Sequence, residues 1–299
     1  MSYQIISDSS CDFSPEMAKE NNLIVVPFYV SFDGENYSKE NVDVNIREFY
    51  DEMVANPKIF PKTSLPSVQD YVDTFLPIAE KGDDIICICI STKFSGSMQS
   101  ALNAKEIILE SYPQTQIAVI DATVNTVLQG LFVFEALKMR DASLPFDEVV
   151  SHLERIKSTG RIFFTVGDLE YLKHGGRIGK LSGIAGSVLG IKPLITLKEG
   201  EIFSSGLVRS RKKALEKMIS LLTEYMNEVG ADTKDYSFAL GFGYDYDEAV
   251  AYRKQLIEAL GNTYPLTEDE LPIRQIGATI SVHTGPYAIG IGVLKRWDA

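Results

Sequence analysis

The chain has 299 residues, 45% hydrophobic and 23% charged, with 22 glycines and 12 prolines; it is long enough for about two domains with a proper core, which excludes a disulfide-stapled miniprotein and a disordered or fibrous chain. Lys and Arg total 29 against 41 Asp and Glu, a formal charge of −12, so phosphate backbones repel the molecule and no nucleic-acid partner is expected. No apolar run approaches the ~20 residues of a membrane-spanning helix. The first residues carry neither region of a signal peptide and the cysteines number three, an odd count, so a cytoplasmic protein with free thiols is expected.

Strand and helix patterns alternate through the first half, the sign of βαβ units. Residues 3–7 predict a strand, followed by the polar loop Asp8-Ser9-Ser10-Cys11-Asp12, where Cys11 is placed for exposure; Ser14-Pro15 then opens a helix as N-cap and first helical residue. Residues 23–30 predict a second strand, at a sheet edge because of Pro27. Asn45 with Glu48, and Ser67 with Asp70, cap two helices, the second kinked or shortened by Pro77. The Ile/Cys run of residues 84–91 predicts a central strand buried on both faces, with Cys87 and Cys89 filling core. A helix over 96–111, a strand over 116–121 and a helix ending near Asp141 follow.

From about Leu144 the pattern becomes α+β. An amphipathic helix (146–158), a strand (161–166) and a short helix (169–173) closed by Gly175-Gly176 precede the small-residue segment 183–190. Strands 192–197 and 202–208 flank Glu199-Gly200-Glu201 as a hairpin. A helix over 210–229, a strand over 236–243, a helix over 248–260 and strands over 273–276 and 288–294 close the chain. The expected fold class is therefore α/β in two closely packed domains: residues 1–155 with a Rossmann-like, largely parallel sheet, and residues 156–299 as an α+β unit completing the ligand site.

Four loops beside strand or helix ends are rich in hydroxyls or glycine: Asp8-Ser9-Ser10, the stretch Lys62-Thr63-Ser64-Leu65-Pro66-Ser67, the stretch Ser91-Thr92-Lys93-Phe94-Ser95-Gly96-Ser97, and Ser281-Val282-His283-Thr284-Gly285-Pro286. In open α/β sheets ligands bind beyond the carboxyl ends of the strands. Any one loop is explained by helix capping, and Ser67 is only a cap; four together, one with His283 in a turn, point to a shared ligand site. A hydrolase pair of Ser95 and His283 lacks the Gly-x-Ser-x-Gly elbow. Scattered histidines and the absence of Cys-x-x-Cys or a phosphate-binding P-loop leave no metal or nucleotide cofactor to expect. Arg209-Ser210-Arg211-Lys212-Lys213 places four cations at a helix start, where the macrodipole disfavours them, and so asks for an anion; Arg177 and Lys180 add to such a patch.

These segments, in order, with Leu172-Lys173-His174-Gly175-Gly176-Arg177-Ile178 between them, resemble the DegV family over essentially the whole chain. The resemblance implies a two-domain α/β fold that binds a long-chain fatty acid between its domains. It also implies a non-enzymatic carrier, the fatty-acid-binding subunit of a bacterial fatty acid kinase, presenting the carboxyl group to a cytoplasmic kinase subunit that makes an acyl phosphate, with transient encounters with a membrane. By position, Thr63, Ser95 and His283 contact the carboxyl group, Ser64, Gly96, Ser97 and Thr284 neighbour it, and Arg177, Arg209 and Arg211 serve the phosphate or the partner. The alternatives are a serine-dependent lipid ester hydrolase and a lipid sensor without a kinase partner. Burying ~14 methylenes at ~0.8 kcal/mol each outweighs hydrogen bonds of ~1 kcal/mol apiece, so the tail supplies affinity and the hydroxyls orientation. Segment 183–190, with Ala185 and Gly186, suits a tunnel wall.

Overall fold

Parallel strands need crossover connections, and in the computed structural model, which describes residues 2–184 and 190–299, the first half supplies them. Its elements are β1 (Tyr3–Asp8), α1 (Pro15–Glu20), β2 (Ile24–Val26), β3 (Tyr29–Ser31), β4 (Ser38–Lys39), α2 (Ile46–Ala55), β5 (Lys62–Ser64), α3 (Val68–Glu80), β6 (Asp84–Cys89), α4 (Ser97–Ser111), β7 (Ile117–Asp121) and α5 (Thr126–Asp141). Four of these strands form a wholly parallel sheet in the order β2-β1-β6-β7. All six residues of β6 are buried. Ile85, Cys87 and Cys89 pack with Tyr71 and Phe75 of α3 and Ala101 and Ala104 of α4, while Ile86 and Ile88 pack toward Leu128 and Phe132 of α5. The capping box of Ser67 and Asp70 starts α3, which runs through Pro77 to Glu80 rather than stopping there.

The second half comprises α6 (Phe146–Ile156), β8 (Arg161–Thr165), α7 (Glu170–His174), β9 (Lys192–Lys198), β10 (Glu201–Val208), α8 (Arg211–Glu228), β11 (Tyr236–Phe242), α9 (Tyr246–Leu260), β12 (Ile273–Gln275), α10 (Ala278–Thr284) and β13 (Ile289–Lys295). Its sheet runs β10-β9-β8-β13-β11-β12, antiparallel except between β11 and β12. Helix α5 lies between the two sheets, against β1 on one side and β11 and β13 on the other, and most of its residues are buried. That explains its apolar character all round. Gly130 lets it approach so closely that a Cβ there would lie 2.7 Å from the Cys11 carbonyl oxygen. One hydrophobic core runs across both halves, joining Ile5 and Ile86 to Ile162, Ile195 and Leu294.

Three sequence expectations are corrected. Residues 23–30 are not one strand: β2 ends at Val26, Pro27 has no N–H to continue the ladder, and β3 joins a separate antiparallel sheet, β4-β3-β5, whose third strand holds Thr63. Cys11 is buried, 1% exposed, beneath α5. His283 lies on a helix, α10, not in a turn. The groups that start this helix are remote in sequence: Gly277 N–H donates to Asp12 Oδ1 (2.9 Å), while Thr279 N–H and Oγ1 donate to Glu40 Oε1 (3.0 Å) and Oε2 (2.6 Å). Ser9 Oγ also donates to Glu40 Oε2. So α10, late in the chain, packs on β3, β5 and α2 of the first half.

Replacing Glu40 by Ala strands the Ser9 and Thr279 hydroxyls and an N–H in a buried site, at about 1–3 kcal/mol per group. Urea unfolding should show a loss of about 3 kcal/mol or more; a loss below about 1 kcal/mol would show that α10 is held by packing alone.

Candidate functional site

A cavity of about 230 Å3 lies between the two sheets, lined from the first half by Phe28, Ile90, Phe94 and Val127 and from the second by Ile162, Phe164, Leu197, Ile202, Ile280 and Ile289. Its polar lining is the set Thr63, Ser64, Ser95, Asn125, Thr126, Arg177, Thr279, His283 and Thr284. Thr63 on β5 and His283 on α10 meet, with Oγ1 and Nε2 3.1 Å apart. Ser95 follows β6 at the carboxyl end of the parallel sheet, and its Oγ accepts from Ser97 N–H (3.2 Å). Arg177, beyond α7, is fixed by donating to the carbonyls of Phe94 (3.2 Å) and Gly175 (2.7 Å). Gly175 has a steric role: a Cβ there would stand 2.1 Å from His283 Nδ1, so only glycine lets the end of α7 press against the imidazole.

Not all of the expected residues face this cavity. Ser97 is fully buried behind it, its Oγ donating to Asp8 Oδ2 (2.8 Å) and lying 2.7 Å from the Tyr71 hydroxyl. Gly96 is the N-cap of α4. Of the three arginines, only Arg177 is in the lining. Arg209 is exposed after β10. The anion that Arg211 asks for is supplied within the chain: its Nε and Nη2 donate to the two carboxylate oxygens of Glu248, at 2.9 and 2.6 Å. Residues 185–189, which include most of the expected tunnel wall, lie outside the described residues.

Sequence reasoning missed Thr126 and Thr279. The signal for Thr126 was present, a hydroxyl-rich strand-to-helix loop like the four singled out. Thr126 has φ +49°, a conformation that costs a β-branched residue free energy, and its hydroxyl donates to the Asp12 carboxylate. Thr279 shows its role only once Glu40 is brought to it.

Burial, and secondarily the positive charge of Arg177, push the His283 pKa down to about 4. The imidazole is neutral at neutral pH, and among the described residues its Nδ1 has no hydrogen-bond partner. The site therefore presents hydroxyls, a neutral imidazole and one guanidinium at an apolar cavity. That chemistry suits an amphipathic molecule with an acidic head. Among the described residues no group of three or more His, Cys, Asp or Glu stands together to hold a metal ion, and no helix is long and apolar enough to cross a membrane.

Fold and site thus define an α/β binding protein with its cavity between two sheets. The chain belongs to the DegV family: the model of that family, described as uncharacterised proteins, matches residues 2–296. A DegV domain-containing protein of Clostridium perfringens is 31% identical over 296 residues, 99% of this chain and 100% of the relative. Among solved structures, a stearic acid-binding protein from Eubacterium ventriosum superposes with a TM-score of 0.93 at 41% identity, over 99% of both chains. A DegV family protein from Thermus thermophilus, described by its fatty acid binding, gives 0.85 at 27%, over 99% of this chain and 100% of that one.

The low His283 pKa has a sign that can be checked. Between about 4 and the ordinary 6.5 the unfolded chain binds a proton that the native site refuses, so this stability is fully present above about pH 6.5 and lost as the pH falls toward 4. The stability difference between wild type and His283→Gln should shrink by about 2–3 kcal/mol from pH 7 to pH 4. A difference flat with pH would mean an unperturbed imidazole.

Proposed function

We propose that the cavity holds a long-chain fatty acid, its tail against the apolar faces of the strands and its carboxyl group at Thr63, Ser64, Ser95, His283 and Thr284. The parts 1–155 and 156–299 act as the two domains that enclose it. The protein is a carrier: a kinase subunit, with Arg177 near the point of contact, receives the exposed carboxylate oxygen as the nucleophile for acyl-phosphate formation. The observation that carries this reading is the composition of one cavity, lined by the hydroxyls of Thr63, Ser64, Ser95 and Thr284, the His283 imidazole in contact with Thr63 and the Arg177 guanidinium, while β8, β9, β10 and β13 contribute apolar side chains. The stearic acid-binding neighbour supports the ligand class. The hydrolase alternative is disfavoured by the surroundings of His283: Nε2 meets Thr63 rather than Ser95, and among the described residues no carboxylate orients Nδ1.

Native mass spectrometry of the purified protein should show one retained fatty acid. Ser95→Ala and His283→Ala should leave the fold intact and weaken retention by roughly 5- to 150-fold, the equivalent of about 1–3 kcal/mol for a stranded polar group. Adding a cognate kinase subunit and ATP should convert the retained acid to acyl phosphate. A protein that retains no lipid, or that turns over a panel of fatty esters in a Ser95-dependent manner, would overturn the carrier reading.

A further inference from the structure

Beside the fatty-acid cavity lies a second cavity, of about 360 Å3, between α1, α5, β11 and the segment leading into β12. Val127 lines both, so one side chain of α5 stands between them. The second cavity has apolar walls, including Phe13, Leu131 and Phe134, and is also lined by the cations Lys138, Lys234, Arg274 and Arg296. The Arg274 guanidinium stands 5.8 Å from the centroid of the Phe134 ring. Of the other charges at this cavity, Lys234 and Asp269 are exposed, Arg296 pairs with Asp298 (3.3 Å), and the rest are engaged within the chain. Lys138 pairs with Glu135 (2.6 Å), the Glu270 carboxylate accepts from Thr267 N–H and Oγ1 (both 2.8 Å), and Asp12 holds the start of α10. Arg274, half-buried, has no carboxylate partner among the described residues. Burial lowers its pKa below the ordinary guanidinium value, as expected for a cation partly stripped of water with nothing in return. A planar fork of donors beside an aromatic face suits a carboxylate whose body is apolar.

We propose that this cavity is a second ligand site, for a medium-chain monocarboxylate whose carboxylate is held on Arg274 and whose chain lies on Phe13, Leu131 and Phe134. Arg274 is half-buried beside Phe134 whereas Lys234 is exposed, and one planar guanidinium fork among apolar walls suits a single carboxylate. The site is independent of the fatty-acid reading, because Arg274 lines only this cavity and Ser95 only the other.

The test is calorimetric titration of decanoate into protein saturated with stearate, for wild type, Arg274→Gln, Arg274→Lys and Ser95→Ala, with thermal melts to confirm folding. Wild type should bind one decanoate, Arg274→Gln should weaken binding at least tenfold, Arg274→Lys should fall between them, and Ser95→Ala should match wild type. If stearate does not load, which would count against the fatty-acid reading alone, the same titration is run on the unloaded chain. The proposal is overturned if wild type binds no decanoate, if Arg274→Gln binds it as well as wild type does, or if Ser95→Ala rather than Arg274→Gln abolishes binding.

Discussion

Two buried carboxylates hold the site together. Asp12 and Glu40, both from the first half, converge on the start of α10, where a Cβ on Gly277 would lie 2.5 Å from Glu40 Oε1 and 3.0 Å from Asp12 Oδ1. Burial pushes the pKa of both groups up. Against that, the backbone N–H groups and hydroxyls aimed at them stabilise the ionised form, as does the start of a helix. Through α10 the pair places His283 against Thr63, and through Thr126 the same Asp12 holds the start of α5. Two walls of the cavity thus depend on one acidic cluster that is not itself in the lining of that cavity.

Another buried acid explains why a hydroxyl-rich segment is an incomplete guide to a ligand site. Asp8, at the end of β1, accepts from Ser10 Oγ, Gln129 Nε2, Ile90 N–H and Ser97 Oγ at 2.6 to 2.9 Å. Ser10 Oγ also lies 2.7 Å from Gln129 Oε1. Burial raises the Asp8 pKa, and these four hydrogen bonds act against it. The Asp8-Ser9-Ser10 loop and Ser97 are therefore occupied within the fold, whereas Thr63, Ser64, Ser95 and Thr284 line the cavity.

What was legible in the sequence follows the range of the interactions involved. The caps at Ser14, Asn45 and Ser67, the doubly buried β6 and the β9–β10 hairpin rest on neighbours a few residues away, and all are found where periodicity and capping chemistry put them. The β4-β3-β5 sheet escaped because its strands are two or three residues long. Helix α10 escaped because its capping carboxylates lie 239 and 265 residues away. The basic start of α8 was legible as a demand for an anion, but not the identity of Glu248, which α9 delivers from 37 residues on. In the site, the residue types were visible and their directions were not. Ser95 and Ser97 are two residues apart, yet one lines the cavity and the other meets Asp8.

The placement of α10 also sets an order of events during synthesis. Thr63 and Ser95 leave the ribosome long before residues 277–285, so Asp12 and Glu40 emerge with no helix to receive them. Contacts of such sequence separation come late, after loop closure over most of the chain. The pocket is therefore among the last parts of the molecule to take shape, and until then its apolar faces are open to water and to chaperones. A nascent chain halted before α10 also lacks β13, the strand that joins β8 to β11 in the second sheet, and so cannot close the cavity. A ligand that binds only the closed cavity would add its binding free energy to that final folding step.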